Sequence, residues 1–328
     1  MMRPKSAMFY ISSIEEISTD FVSAIVRTKD ANGETDDLLE HINPWALESI
    51  ASIFLNTRLG CLDPVPSKDG LDLIKAAEIV LGPDLFRLVT KPPLWKYIPL
   101  PAFKRFDRAA VDILTIAKKF IEKAALDLKL RKDEVRMEGE KSILEKLIES
   151  NKGDLDIPVV MAVDAMLAGI DTTGNTAAFL IYRLANNPEQ QEMLFKEVVR
   201  EVGEGRVTEA ALRSMKYLRA CHQESMRMAP AASGISRRTQ ADMGLGGYAI
   251  PRKTSIIYFS VNNLLSPDHY LQPDKFLPER WLRGGEVLAR PHSHLNLPFG
   301  HGPRMCIGRR FAELELHVLI IKLLQKFR

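Results

Sequence analysis

The sequence has few cysteines, little net charge and no long uncharged apolar run. Its three cysteines show no closely spaced pairs, which argues against the disulfide framework of a small secreted domain. The formal charge of +3 is spread along the chain and gives no indication of a nucleic-acid-binding tail. No stretch reaches the roughly 20 uncharged residues of a membrane span, and residues 1–7 carry no targeting segment. Taken literally, these absences predict a cytosolic protein.

The residues that are present predict a large folded core. Hydrophobic residues make up 46% of the 328 residues and charged residues 27%, as in soluble globular proteins. Apolar periodicity predicts mostly helices, and Gly246-Gly247 marks a turn between short strands in Leu245–Val261. The fold class is therefore mainly α with a small β part. The predicted helices are Glu15–Arg27, Pro44–Leu55, Asp72–Leu88, Ala102–Lys129, one from Pro188 through Arg200, Met215–Met228 and Ile307–Phe327.

A loop rich in glycine and proline, residues 298–308, carries Cys306 to the predicted start of the last helix. Backbone N–H groups and the positive end of a helix dipole both favour a thiolate at such a position. Gly302 and Gly308 leave room for a sharp turn or for a flat macrocycle. Phe299 can shield the sulfur, and Arg304 can pair with a carboxylate. This pattern predicts a thiolate metal ligand.

Two alternatives compete with this interpretation. A single cysteine is often a small buried apolar residue, which is the interpretation we favour for Cys61 and Cys221. A zinc site could also use His294 and His301, which lie upstream of Cys306. The spacing of these residues lacks the closely spaced ligand pairs of structural zinc sites, so we interpret both histidines as loop residues.

The segment Phe299–Glu313 resembles the haem-binding motif of the cytochrome P450 superfamily, with Phe, Gly, Arg, Cys and Gly in register. Three further motifs of that superfamily stand upstream in the expected order, so the resemblance covers nearly the whole chain. They are Ala168–Thr173, Glu224–Arg227 and Pro273–Trp281.

The first of these motifs falls in a long apolar stretch that predicts a central helix over about 157–186. The motif is similar to the acid and alcohol pair of the superfamily's central helix, which implies catalytic roles for Asp171 and Thr172 in proton delivery. Gly169 would thin the helix where a ligand could lie. The alternative is that the hydroxyls of Thr172 and Thr173 bond back to helix carbonyls while Asp171 faces solvent.

The other two motifs supply charges for a buried network. Glu224 and Arg227 are three residues apart and share a helical face. The resemblance implies that Arg280 joins them to fix the loop that carries Cys306. It also places Arg237 where the superfamily often has a second propionate-binding arginine, although an ordinary surface arginine is the alternative.

The resemblance implies that the chain is a single P450-like catalytic domain over 1–328, lacking the N-terminal helices and part of the β-domain. It implies haem b, with Cys306 as the axial thiolate. The implied activity is that of a haem-thiolate monooxygenase, which inserts one oxygen atom from O₂ into a lipophilic substrate such as a steroid, a sterol-like hormone or a xenobiotic. The alternative is a truncated haem-binding product without this activity. The implied cofactor-binding residues are Cys306, Arg304, Phe299, Gly302, Gly308 and Arg237.

Shorter matches resemble the mitochondrial clan of animal cytochromes P450. They are Trp45–Ile50, Asn56–Gly60, Pro93–Lys96 and Cys306–Arg310. For the complete protein, the clan implies a mitochondrial location, on the matrix side of the inner membrane. It also implies that an acidic iron–sulfur ferredoxin supplies electrons through Arg309, Arg310 and Arg219, unless these arginines are simply solvated.

The segment around Trp95 has apolar and aromatic residues beside lysine and could contact a membrane surface. Packing of Trp95 and Tyr97 on the protein core is the equal alternative.

Overall fold

A computed structural model of the chain describes residues 7–35, 37–90, 94–98, 100–130, 142–152, 154–282, 292 and 294–327. Helices dominate, as predicted from the periodicity. The chain forms two compact units. The first comprises residues 1–178, 202–212 and 310–328, and the second comprises 179–201 and 213–309. The single-domain organisation predicted for 1–328 stays a prediction.

Three helices of the first unit begin where a polar side chain caps them. Asp37 accepts a hydrogen bond from the backbone of Leu39, and Ser67 and Ser142 cap the helices that follow them in the same way. Such caps satisfy N–H groups that have no partner within the helix. The helices are α1 (Ile11–Thr28), α2 (Leu38–Leu55), α3 (Lys68–Leu81), α4 (Pro83–Thr90), α5 (Pro101–Leu130), α6 (Ile143–Ser150) and α7 (Asp156–Ala185), followed along the chain by α8 (Pro188–Glu201), α9 (Glu209–Ser214) and α10 (Lys216–Met228).

The prediction of one helix over Asp72–Leu88 is wrong, because α3 ends at Leu81 and α4 begins at Pro83. Gly82 has an extended backbone conformation, with φ of −75° and ψ of −173°. A residue before proline is driven out of the helical region, and the proline has no N–H to donate. Periodicity continued across this break and concealed it.

The core of the first unit holds a buried carboxylate. Glu48 on α2 is fully buried and accepts hydrogen bonds from the backbone N–H groups of Leu59 and Cys61, at 3.1 and 2.6 Å. The Arg58 guanidinium binds the same carboxylate at 2.8 Å. These contacts fix the loop after α2, which contains one of the segments that resemble the mitochondrial clan.

Helix α7 packs on α2 through two glycines. A Cβ at Gly169 would lie 3.1 Å from Ile50, and one at Gly174 would lie 2.5 Å from the Asn43 amide oxygen. The expectation that Gly169 leaves room for a ligand is therefore wrong, because Ile50 occupies that room. By length and composition α7 could also cross a membrane, but core helices share those properties.

The second unit contains α8, α10, the end of α7 and the four strands that the structure describes. Strand β1 (Gly234–Arg238) pairs antiparallel with β4 (Ser255–Phe259), and β2 (Met243–Leu245) pairs with β3 (Tyr248–Ile250). Gly246 and Gly247 form the β2–β3 turn with φ of 58° and 84°, which confirms the predicted turn. A short helix, α11 (Ser260–Leu264), follows β4. After the Cys306 loop comes α12 (Arg309–Lys326), which belongs to the first unit from residue 310 onward.

Candidate functional site

Cys306 lies in an ordered loop between a 3₁₀ turn, Gly302–Arg304, and helix α12. Its backbone N–H donates a hydrogen bond of 2.8 Å to the carbonyl of Phe299. Gly300 and Gly302 have φ of 71° and 77°, a left-handed conformation that side chains disfavour. The role of Gly300 was not predicted, although its place in the loop is the signal that could have found it. Two glycines and one backbone bond therefore hold the cysteine in place.

Helix α12 begins three residues after the sulfur, so the prediction that the helix starts at Ile307 is wrong. Ile307 and Gly308 form a turn, and the first helical residue is Arg309. Glycine is a poor helix former, which accounts for the later start. Cys306 thus precedes the helix rather than belonging to its first turn.

The exposure of Cys306 distinguishes it from the other two cysteines. Cys61 and Cys221 are buried, whereas the Cys306 side chain is exposed. Burial strongly raises the pKa of the Cys61 and Cys221 thiols, so both behave as small apolar residues. Only Cys306, of the three, presents sulfur to a ligand.

The surroundings of Cys306 fit a flat macrocycle. No atom lies within 4 Å of a Cβ added to Gly302, and one added to Gly308 would lie 3.9 Å from the Cys306 sulfur. A side chain at Gly308 would therefore approach the thiol, and the space at Gly302 is open. A soft sulfur donor with open space on its loop suits haem iron.

The other predicted cofactor residues of the second unit are spread over two elements. Phe299 is half-buried, and the Arg309 guanidinium lies 5.4 Å from its ring centroid. Arg304 is exposed in the 3₁₀ turn. Arg237 is exposed on β1 and donates to the carbonyl of Ser236 at 2.8 Å. Both arginines could therefore reach an anionic group.

The two upstream histidines lie in the same loop. Their rings, His294 and His301, pack edge to face with centroids 5.2 Å apart.

In the first unit, Asp171 and Thr172 lie in the middle of α7. The Thr172 hydroxyl donates to the carbonyl of Ala168 at 2.6 Å, which is the back-bonded arrangement given above as the alternative. Asp171 is half-buried, and its carboxylate accepts a bond of 3.0 Å from the Asn175 amide. Asn175 was not predicted, although its four-residue spacing from Asp171 was visible in the sequence.

The buried charge network predicted in the second unit is confirmed. Glu224, Arg227 and Arg280 have side chains at most 2% exposed, and both arginines contact the Glu224 carboxylate, at 2.9 and 3.1 Å. Trp281 donates its indole N–H to the same carboxylate at 2.9 Å. Both guanidinium groups also lie over the ring of Tyr270, at 5.0 and 5.8 Å. Trp281 and Tyr270 were not predicted as partners.

The three arginines predicted for partner binding differ in their surroundings. Arg219 on α10 donates to the carbonyl of Arg213 at 3.1 Å. Arg309 is half-buried at Phe299. Arg310 is 49% exposed and pairs with Glu313 at 3.3 Å.

In the segment around Trp95, one aromatic residue packs against the protein and its apolar neighbours are exposed. Trp95 stacks on Phe103 with ring centroids 4.9 Å apart. Leu94, Tyr97 and Ile98 are 53%, 85% and 53% exposed. Packing therefore accounts for Trp95. The alternative that Tyr97 also packs on the core is wrong, because Tyr97 lies at the surface with Leu94 and Ile98.

Comparison with known proteins finds one family over the whole chain. The family model for cytochrome P450 matches residues 1–328. The chain is 34% identical to probable cytochrome P450 49a1 and 34% identical to probable cytochrome P450 12a5, mitochondrial, both of Drosophila melanogaster, and 35% identical to cytochrome P450 CYP12A2 of Musca domestica. Each match covers all of this chain but only 57, 63 and 64% of the relative's length. The exposed cysteine in its glycine loop, the buried charge network and these matches establish that the chain belongs to the cytochrome P450 family.

Proposed function

We propose that the protein is a haem-thiolate monooxygenase, with Cys306 as the axial ligand of haem b. The observation that carries the proposal is the exposed thiol held in a loop of left-handed glycines. Gly302, Gly308 and Phe299 would border the macrocycle. When bound, the haem supplies the activation of O₂ from which one oxygen atom enters a lipophilic substrate, such as a steroid, a sterol-like hormone or a xenobiotic.

Two arginines would hold the carboxylates of the cofactor. Arg304 is exposed two residues before Cys306, and Arg237 is exposed on β1. A guanidinium forms forked, charge-assisted hydrogen bonds with a carboxylate. Loss of either side chain would weaken haem retention while leaving the thiolate ligand in place.

The roles of Asp171 and Thr172 follow from their atoms. The Asp171 carboxylate can hold a proton and release it, and the Asn175 amide at 3.0 Å fixes its orientation. The Thr172 hydroxyl can pass a proton on when it turns away from the Ala168 carbonyl. Replacement of Asp171 by Asn, or of Thr172 by Val, should lower the yield of product per electron pair consumed.

The spectrum of the reduced protein with carbon monoxide tests the thiolate ligand. A haem–thiolate complex gives a band characteristic of the family, and we expect Cys306→Ser to abolish it even if haem stays bound. Cys221→Ala is the matched control, because it removes a buried thiol and should retain the band. Absence of the band from the wild-type protein would refute the proposal.

We further propose that an acidic iron–sulfur ferredoxin supplies the electrons, with Arg219, Arg309 and Arg310 contributing to its docking. Relatives named as mitochondrial support this proposal, as does the partial exposure of Arg310. Reduction by a ferredoxin should slow as ionic strength rises, and Arg310→Gln should reduce the salt dependence. Rates that are independent of salt would argue against docking by charge.

The mitochondrial names of relatives also support a mitochondrial location for this protein, and we propose the matrix side of the inner membrane. Leu94, Tyr97 and Ile98 would contact the lipid surface beside Trp95. Sedimentation with vesicles that model the inner-membrane lipids tests this contact, and Tyr97→Ser together with Ile98→Ser should weaken it. Equal sedimentation of variant and wild type would refute the contact.

Activity and haem binding can be separated by experiment. The alternative of a haem-binding product without monooxygenase activity rests on the 57–64% of relatives' length that the chain spans. Turnover of any substrate by the 328-residue chain would exclude it, whereas the thiolate band without turnover would favour it.

A further inference from the structure

Arg309 contacts the Cys306 loop rather than extending into solvent. Its guanidinium carbon lies 5.4 Å from the centroid of the Phe299 ring, and the side chain is half-buried. Phe299 in turn accepts the Cys306 N–H through its carbonyl at 2.8 Å. The side-chain contact of Arg309 and the backbone hydrogen bond of Cys306 therefore involve the same residue, Phe299.

Helix α10 approaches the same arginine through a buried histidine. His222 is 2% exposed, and burial, with a smaller contribution from the Arg309 charge, lowers the pKa of His222 to about 4. At neutral pH the imidazole is therefore uncharged and does not repel the guanidinium. The Arg309 charge is therefore near enough to α10 to act on His222.

We propose that Arg309 is a positioning residue for Cys306, acting by holding the Phe299 ring so that the Phe299 carbonyl keeps the Cys306 N–H bond. The inference rests on the proposed function only in that the positioned thiol is the iron ligand. It adds a second role to an arginine otherwise assigned to partner docking.

The contact needs a planar cation. A guanidinium can stack on an aromatic face and is attracted by its negative quadrupole. Lysine keeps the charge but lacks the plane, and glutamine keeps a planar end but lacks the charge. We therefore expect Arg309→Gln to lose most of the effect and Arg309→Lys to retain part of it.

Amide hydrogen exchange in the haem-free 328-residue chain tests the proposal directly. Cysteine-selective nitrogen labelling gives three amide signals, one for each cysteine, and Cys306→Ser assigns the relevant one. Loss of a partly exposed cation–π contact should speed exchange at Cys306 about two- to fivefold in Arg309→Gln. Exchange at the wild-type rate in this variant overturns the proposal.

Arg310→Gln is the matched control, because it removes the same charge one residue later from a side chain paired with Glu313. It should leave the Cys306 exchange rate unchanged. An equal acceleration in Arg310→Gln would attribute the effect to the loss of charge at the helix start and would overturn the proposal. If Arg309→Gln does not fold, Phe299→Leu replaces it with the same expected acceleration, and unchanged exchange there refutes the contact.

Haem binding separates this inference from the proposed function. A wild-type protein without the thiolate band contradicts the proposed function, and the exchange rates of the haem-free chain still decide the role of Arg309. If the wild type shows the band, a larger fraction of the haem-bound Arg309→Gln protein should have a neutral thiol, and therefore lack the thiolate band, than in the wild type. In Arg309→Lys this fraction should lie between those of Arg309→Gln and the wild type. The same fraction in Arg309→Gln as in the wild type would show that Arg309 does not position the ligand.

Discussion

Replacing Glu224 with glutamine tests the buried charge network, because it removes the negative charge that Arg227 and Arg280 share. The Glu224 carboxylate accepts five hydrogen bonds. The donors are the Arg227 Nε and Nη2, the Arg280 Nε, the Leu277 backbone N–H and the Trp281 indole N–H. Glutamine has nearly the same shape but offers one acceptor oxygen and two new N–H donors. Arginine cannot lose its proton in a protein, so two buried cations would remain without a counter-charge.

The size of the expected loss of stability depends on the hydrogen bonds that Arg227 and Arg280 retain. Removing one partner of a buried ion pair costs about 3–5 kcal/mol of unfolding free energy. Arg227 also binds the carbonyls of Leu264 and Lys275, and Arg280 binds those of Leu271 and Gln272. These four carbonyl bonds survive the substitution and partly solvate the cations. We therefore expect a loss near the lower end, about 3 kcal/mol, in Glu224→Gln.

Urea unfolding followed by circular dichroism measures this loss, with Glu122→Gln as the control. Glu122 forms an exposed pair with Lys118 at 3.7 Å on α5, and exposed pairs of this kind contribute at most about 0.5 kcal/mol. If Glu224→Gln and Glu122→Gln lower the unfolding free energy equally, the charge balance of the buried network is not what stabilises this region.

Three further outcomes follow from individual side chains. Burial raises the pKa of Glu315 to about 8, so between pH 4.5 and 8 Glu315 stays protonated in the folded state but loses its proton in the unfolded state. The unfolding free energy should therefore fall as pH rises through this window. Urea titrations should show a smaller fall in Glu315→Gln. Gly302→Ala should destabilise the chain by about 1–2 kcal/mol through its φ of 77° alone, measured by thermal unfolding against Gly244→Ala, where an added Cβ likewise meets nothing within 4 Å. In Gly70→Ala the new Cβ would overlap the Cys61 sulfur and lower the unfolding free energy by about 1–3 kcal/mol. Adding Cys61→Ala to this variant should recover part of that loss. A double variant with the same urea midpoint as Gly70→Ala would disprove the clash.

Features set by neighbouring residues could be predicted from the sequence. Gly246-Gly247 has no side chains to oppose positive φ, so the hairpin turn followed from two residues. Glu224 and Arg227 share a helical face through their three-residue spacing. Their partner Arg280 followed from the family resemblance alone, because no local spacing connects residues 56 positions apart.

Features set by distant residues could not be predicted. Glu48 holds the loop at Leu59 and Cys61, and Glu197 accepts the N–H groups of Tyr217 and Leu218 at the start of α10, at 2.9 and 2.8 Å. Each acid lies on a helix, where a carboxylate ordinarily faces solvent. Only the folded packing brings the unpaired N–H groups to it, so no pattern in the sequence distinguishes these acids from surface ones.

The Cys306 loop is difficult to explain by packing alone. Cysteines that serve packing in this protein, Cys61 and Cys221, are buried and resist ionisation. Cys306 is kept at the surface by two glycines in left-handed conformations and by the Phe299 carbonyl, although an exposed thiol is open to oxidation. A loop built to hold sulfur outward gains stability from whatever covers and binds that sulfur, because a ligand that binds only the folded state stabilises it. The geometry of Cys306 therefore favours a bound cofactor over an unliganded cysteine as the state for which the loop is shaped.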